Sequence, residues 1–315
     1  MKNISIATFI STKEHENNDF IQTIEFLSHD FNIDYFILAD EYTQHNGKKI
    51  DFVAGKSKYK RIEAILKLSP NNIILCIDND IVINKENTRE FLIDVLEKDF
   101  ALAWGKIQCQ QVNGFVSNLI KIDKNLSHNI LRPFLWAINK GISIPGQVFC
   151  INKPYFNGLL NNYDTVFDDL TLGLICKKNL MPVFYLRKVL GYERPKGKFK
   201  ELIQQRKRWA QGFSESMKYS KQMKIQRFVL LHGAMYHLLW IPFYIILCFL
   251  YEINPVVSVI YILFSLITLS DCKFSSIFWA FFYILIFPIV HIFCLCKKPG
   301  RFSAGNSAQI YDYFS

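Results

Sequence analysis

The chain has 315 residues, 50% of them hydrophobic, and carries 37 Lys and Arg against 27 Asp and Glu, a formal charge of +10. That length supports one sizeable domain with a buried core plus a smaller part, and excludes a small scaffold that needs staples to fold. The eight cysteines form no CxxC pair, which argues against a zinc site or a disulfide framework and for scattered reduced thiols in a cytosolic compartment.

The opening MKNISIATFI holds one early cation and no apolar run of signal-peptide length, so the N-terminus is expected in the cytosol. Ile4–Ile10 predicts a first buried strand. NDFIQTIEFLSHDF spaces Phe20, Ile21, Ile24, Phe26 and Leu27 as an amphipathic helix does. IDYFILADE predicts a second strand, ending on Asp40 and Glu41. RIEAILKLS predicts a helix closed by Pro70 and Asn71, and NIILCIDNDIVI a third strand running into acids. TREFLIDVLEKD and FALAWGKI add another helix and another strand. Strand and helix alternate, the pattern of a parallel α/β sheet with helices on both faces. Residues 106–145 keep no clean period and are expected to form a partly helical insertion over the sheet edge.

The composition then shifts. Phe228–Tyr251, Ile253–Ser270 and Phe274–Cys296 run 24, 18 and 23 residues without Asp, Glu, Lys or Arg. About 20 apolar residues cross about 30 Å of hydrocarbon, and a soluble core helix rarely stays apolar all round for that length. Lys218, Lys221, Lys224 and Arg227 precede the first segment and place that end in the cytosol, whereas Lys297, Lys298 and Arg301 stay inside only if one segment is re-entrant or interfacial. Two to three membrane helices are therefore expected in a multi-pass cell-membrane protein with its α/β part in the cytosol. The boundaries are 1–197 for a cytosolic α/β domain, 198–227 for an amphipathic interfacial region, 228–296 for the membrane helices and 297–315 for a tail. From Phe228 onward only four cations face three acids, so nearly all the positive excess belongs to the water-facing part and suits anionic partners. The basic residues border membrane segments and no nucleic-acid motif appears, so no nucleic acid is expected.

Three stretches can carry chemistry. In CIDNDIVI, the apolar run Ile73–Ile77 delivers Asp78 and Asp80 to the carboxyl end of a strand, where open α/β sheets bind ligands. Two such carboxylates suit a hard divalent ion, Mg²⁺ or Mn²⁺, shared with substrate phosphates, although the same pattern also occurs in solvated turns. In FDDLTLG, Asp168 and Asp169 precede a predicted helix, either as a cap with a companion acid or as a general base whose pKa a neighbouring carboxylate raises. In QQRKRWAQG, a helix over 199–213 puts Phe199, Leu202, Ile203, Ala210 and Phe213 in one stripe at about 100° per residue. Gln205, Arg208 and Trp209 share an adjacent face, and Lys200, Gln204, Lys207 and Gln211 a third. Arg206 falls inside the apolar stripe and must snorkel or find a partner. A plain interfacial helix needs two sides, so the third side points to a site.

Taken in order, D-x-D, a paired acid, Q-x-x-R-W and apolar segments resemble the family 2 inverting glycosyltransferases with a membrane-embedded C-terminal part: the cellulose, hyaluronan, poly-N-acetylglucosamine and ceramide glucosyl synthases. The likeness covers roughly residues 4–300 and implies a GT-A (Rossmann-like) nucleotide-sugar-binding domain, then an interfacial helix and transmembrane helices. It implies that Asp40, Glu41, Lys58, Asp78 and Arg208 bind the nucleotide-sugar, with Lys56 a rival to Lys58. Asp78 and Asp80 would hold Mg²⁺ or Mn²⁺, Asp169 would be the catalytic base, and Gly146, Gln205 and Trp209 would serve the acceptor. The implied donor is UDP-linked and the acceptor a lipid, a lipid-linked glycan or a growing polysaccharide, with membrane lipids and a partner subunit or second copy as further partners. The chain departs from the family in two places. ATFISTKEHE stands where P-x-Y-N-E is usual, and Asp168-Asp169 where Glu-Asp is usual. A catalytically inactive scaffold of a polysaccharide assembly complex is the alternative.

Overall fold

The computed structural model describes residues 1–10, 18–39, 57–110, 112–160, 165, 167–195 and 197–296. They divide into two compact units, one of residues 1–107 and 142–193, the other of residues 108–141 and 194–296.

The first unit is an α/β sheet built on β1 (Lys2–Ile10), β2 (Phe31–Ala39) and β3 (Ile73–Asp78). Between them lie α1 (Asn18–Leu27) and α2 (Lys58–Leu68). A turn after β3 leads to the short β4 (Ile81–Ile83), α3 (Lys85–Leu96) and β5 (Leu102–Cys109). β6 (Val148–Asn152), α6 (Asp168–Lys178) and β7 (Val183–Glu193) complete it. The strand order is β2-β1-β3-β6-β5-β7-β4. The sequence pattern predicts a parallel sheet, but the sheet is mixed. β1 runs parallel to β2 and β3, as helical crossovers require. β6 re-enters antiparallel to both β3 and β5. The predicted third strand is in fact two strands. Its chain turns at Asn79–Asp80, and β4 pairs antiparallel with β7 at the far edge. The acids therefore sit where the strand breaks.

Local sequence explains the helices. Asn84 caps α3 by accepting from the Asn87 N–H at 3.2 Å, and Thr88, Phe91, Leu92 and Val95 repeat at helical spacing on the buried side. Ser57 caps α2 in the same way, with Tyr59, Ile62, Ile65 and Leu66 buried. Phe91, Leu92 and Val95 of α3 form one core cluster with Ile4, Ile6, Leu75, Ile77, Val148 and Cys150 of β1, β3 and β6. Each fully buried aliphatic or aromatic side chain there contributes about 1.5–3 kcal/mol.

The second unit is helical. It contains α4 (Phe115–Asn125), a π-helical stretch Leu126–Leu131, α5 (Arg132–Ala137) and the long α7 (Phe199–Gln222). α8 (Gln226–His237), α9 (Trp240–Ile253), α10 (Pro255–Leu269) and α11 (Phe274–Cys296) follow. Much of the aperiodic 106–145 stretch belongs here: α4 packs on α11 through Leu119, Ile122, Tyr283 and Phe287.

Two to three membrane helices are expected from composition. Among the described residues one helix, Phe274–Leu295, is long and apolar enough to cross, or two if the bent pair of α8 and α9 is a single span. The first apolar run breaks after His237 and bends by 56°. The second yields a helix of 15 residues, about 22 Å at about 1.5 Å per residue, short of the hydrocarbon thickness. Large apolar side chains such as Phe249, Val256, Phe264 and Phe274 are exposed along α9, α10 and α11. The predicted tail, 297–315, lies outside the described residues.

Candidate active site

The site starts at the end of β3, where Ile74–Ile77 are buried and Asp78 emerges half-buried. Its backbone N–H donates to the Gln147 carbonyl at 2.8 Å, continuing the β3–β6 ladder. This bond brings the loop before β6, with Gly146 in it, alongside Asp78. Asp80 follows two residues on, in the exposed turn.

Lys58 is the first residue of α2, and its Nζ joins three parts of the chain. It lies 2.6 Å from Asp78 Oδ1 and 3.2 Å from Asp168 Oδ2, and donates to the Gly146 carbonyl at 2.5 Å. The rings of Phe9 and Phe149 lie 5.4 and 5.6 Å from it, which dries the contact. Burial works against the ammonium, but the carboxylates of Asp168 and Asp78 outweigh it and hold the Lys58 pKa above the ordinary lysine value. For Asp78 burial is the largest influence. With Asp80 and Asp168 also raising it, and Lys58 pulling it down, its pKa rises to about 7.

Asp168 and Asp169 open α6. Neither acts as its cap: the cap position is Phe167, which makes no side-chain capping bond, and Asp168 is spent on Lys58. The acids still gain from the helix N-terminus, where the dipole favours negative charge. α6 is pressed onto the chain before Gly146. A Cβ on Gly173 would come within 2.1 Å of the Ile142 carbonyl oxygen, so only glycine fits. At Gly146 a Cβ would stand 3.3 Å from the Asp169 Cβ and 3.7 Å from Asp168 Oδ2. A bare backbone at Gly146 thus leaves room beside both acids.

Of the residues singled out in the sequence, Lys58, Asp78, Gly146 and Asp169 come together in this unit, with Asp80 in the adjoining turn. Asp40, Glu41 and Lys56 lie outside the described residues. Asp168 was legible as an acid beside Asp169, but its ion pair with Lys58 was not. Among the described residues no three of His, Cys, Asp and Glu gather as a metal-holding group. Asp78 and Asp80 are hard oxygen donors. They fit an ion that keeps several waters and takes its other ligands from substrate phosphates, as Mg²⁺ does.

Gln205, Arg208 and Trp209 lie on α7 in the helical unit. Arg206 is 2% exposed and donates to Asp123 Oδ2 at 2.7 Å. The partner demanded by its place in the apolar stripe is therefore an acid of α4. Trp209 does not stand apart with Gln205 and Arg208, since the Arg206 guanidinium carbon lies 3.9 Å from its ring centre.

The sequence profile described as glycosyl transferase family group 2 matches residues 73–293. No curated protein sequence matches the chain significantly. Among solved structures, glucosyl-3-phosphoglycerate synthase from Mycobacterium tuberculosis, in complex with Mg²⁺ and uridine diphosphate, is similar with a TM-score of 0.45. It is 14% identical over 68% of this chain and 79% of that one. S. aureus TarS 1-349 has a TM-score of 0.44 at 13% identity, covering 75% of this chain and 72% of its own.

Proposed function

This chain belongs to glycosyl transferase family group 2, and on that premise we propose that it is a membrane-bound, metal-dependent, inverting hexosyl- or N-acetylhexosaminyltransferase. Its donor is a nucleotide-sugar, UDP-linked by the family resemblance. Its acceptor is a lipid, a lipid-linked glycan or a growing polysaccharide. The observation that carries the reading is the convergence of Lys58, Asp78, Asp168 and the Gly146 carbonyl at the carboxyl end of β3, beside Asp169.

Asp78 and Asp80 would hold Mg²⁺ or Mn²⁺. When bound, such an ion offsets the charge on the leaving diphosphate. Asp169 takes the proton of the acceptor hydroxyl, a contribution of about 10²–10⁴-fold for general bases. The acceptor oxygen attacks the anomeric carbon from the face opposite the diphosphate, the bond to the diphosphate breaks, and the anomeric configuration inverts. Lys58 fixes Asp78 and Asp168 in place. In the helical unit, Arg208 steadies the departing diphosphate, Gln205 and Trp209 serve the acceptor, and α7 is the interfacial segment before the membrane helices. The basic run ahead of α8 keeps that end in the cytosol.

Asp169→Asn tests the base. Transfer should fall by about 10²-fold or more while nucleotide-sugar binding, measured by calorimetry, survives. Near-normal turnover by the purified variant would remove Asp169 from the role.

A further inference from the structure

Arg206 is the buried cation of the QQRKRW stretch, and the proposed chemistry gives it no task. Three helices meet on it. Its Nη2 is paired with Asp123 Oδ2 of α4 at 2.7 Å, and the other oxygen, Asp123 Oδ1, accepts from the Tyr283 hydroxyl of α11 at 2.7 Å. Burial alone would push the Asp123 carboxyl up, but Arg206 beside it, with smaller help from His291 and Tyr283, holds it below the ordinary value. The pair is therefore charged and closed. The guanidinium plane meets two rings, Trp209 at 3.9 Å and Phe287 at 5.2 Å from their centres.

A buried ion pair is a poor way to gain stability, because apolar residues of similar volume do as well or better. What an arginine adds is a flat, rigid face that stacks on an aromatic ring, which neither a lysine nor a leucine supplies. Trp209 stands three residues after Arg206, within side-chain reach on the helix. It is only half-buried, so part of the ring remains accessible while the guanidinium covers one side. Asp123, itself held by the Tyr283 hydroxyl, takes one Nη of the arginine, while the buried Nε makes no hydrogen bond among the described residues and the guanidinium face is left for the ring.

We propose that Arg206, clamped by Asp123 and Tyr283, is the positioning residue that holds the Trp209 ring as a fixed platform for the sugar end of the acceptor. The platform role rests on the acceptor reading of Trp209 given above.

The test uses the full chain in lipid nanodiscs with its tryptophans replaced by 5-fluorotryptophan, the Trp209 signal being assigned by its loss in Trp209→Phe. Arg206→Met should shift and broaden that signal while the Trp104 signal stays put. Arg206→Lys should do the same to a lesser degree, since an ammonium keeps the charge without the flat face. An unmoved Trp209 signal in Arg206→Met overturns the proposal. The second readout is radiolabel passed from a nucleotide-sugar to the lipid and polymer fraction of membranes holding the full chain. Trp209→Phe and Arg206→Met should each lower it about tenfold with the donor KM unchanged, and the double variant should lose no more than either alone. Losses that multiply in the double variant overturn the coupling, and full transfer by Trp209→Phe overturns the platform. A wild-type chain that transfers nothing contradicts the proposed function instead, and the fluorine signal then judges Arg206 alone.

Discussion

In the α/β unit Lys58 lies within reach of two carboxylates, Asp78 at 2.6 Å and Asp168 at 3.2 Å, with Asp80 two residues beyond. In the helical unit Arg206 meets one carboxylate, Asp123 at 2.7 Å, whose second oxygen is taken by Tyr283. The first cluster is over-acidic and keeps 27% of the Asp78 side chain exposed, whereas Arg206 is 2% exposed and its charge is balanced. An unbalanced, half-open cluster can accept a further cation from solution. A balanced, closed one holds helices and rings in place. Charge arithmetic thus separates a cluster with room for a further cation from one already balanced and closed.

Substitutions can break that contrast. Arg206→Met leaves the Asp123 carboxylate buried and unpaired and should destabilise the chain by about 3–5 kcal/mol, read as a shift in denaturant midpoint. Adding Asp123→Leu should recover most of the loss, while divalent ions should recover none. Lys58→Met should cost less in the presence of chelator, about 1–3 kcal/mol, because the Asp78 side chain keeps part of its surface in water. Here millimolar Mn²⁺ should restore most of the stability. If Mn²⁺ rescued Arg206→Met or failed to rescue Lys58→Met, the distinction between the two clusters would collapse.

The smallest expected effect is on pH. A divalent ion needs Asp78 ionised, and in the metal-free chain its pKa lies at about 7. Affinity for Mn²⁺ should therefore be full above that value and fall by up to about tenfold per pH unit below it. Folding shows the opposite sign. A carboxyl raised in the folded state above the ordinary aspartate value withdraws stability from the metal-free chain as pH rises from about 4 through 7. Mn²⁺ titrations followed by thermal unfolding at several pH values would read both.

Part of this was legible in the sequence. The apolar run before Asp78 and the helical spacing of α2 and α3 are local signals, and local signals survive without a structure; the starts at Ser57 and Asn84, ahead of the expected Arg61 and Thr88, were not read. The antiparallel return of β6 was not legible, because the chain first leaves to build α4 and α5 and nothing in Val148–Asn152 encodes direction. Asp168 and Asp169 read more readily as a cap, since an acid at a helix start satisfies both dipole and cap. The cap position is Phe167 instead, and the contact of Asp168 with Lys58 comes from a distant part of the chain. The place of Arg206 in the apolar stripe called for snorkelling or a partner, and the partner it has lies 83 residues earlier in the chain. Hydropathy left two or three crossing helices open because composition is blind to the break after His237 and to the Asn254–Pro255 start of α10; among the described residues one helix is long enough, or two if α8 and α9 are one span.

The central claim is that the acids at the end of β3 serve metal-dependent sugar transfer. Its most direct test is the purified full chain incubated with each common nucleotide-sugar, with Mg²⁺ or Mn²⁺ or with EDTA, and free nucleotide measured. Release from at least one donor that requires the divalent ion and vanishes in Asp78→Asn is the predicted result. Donors that all stay intact, or release that continues unchanged in EDTA, would contradict it.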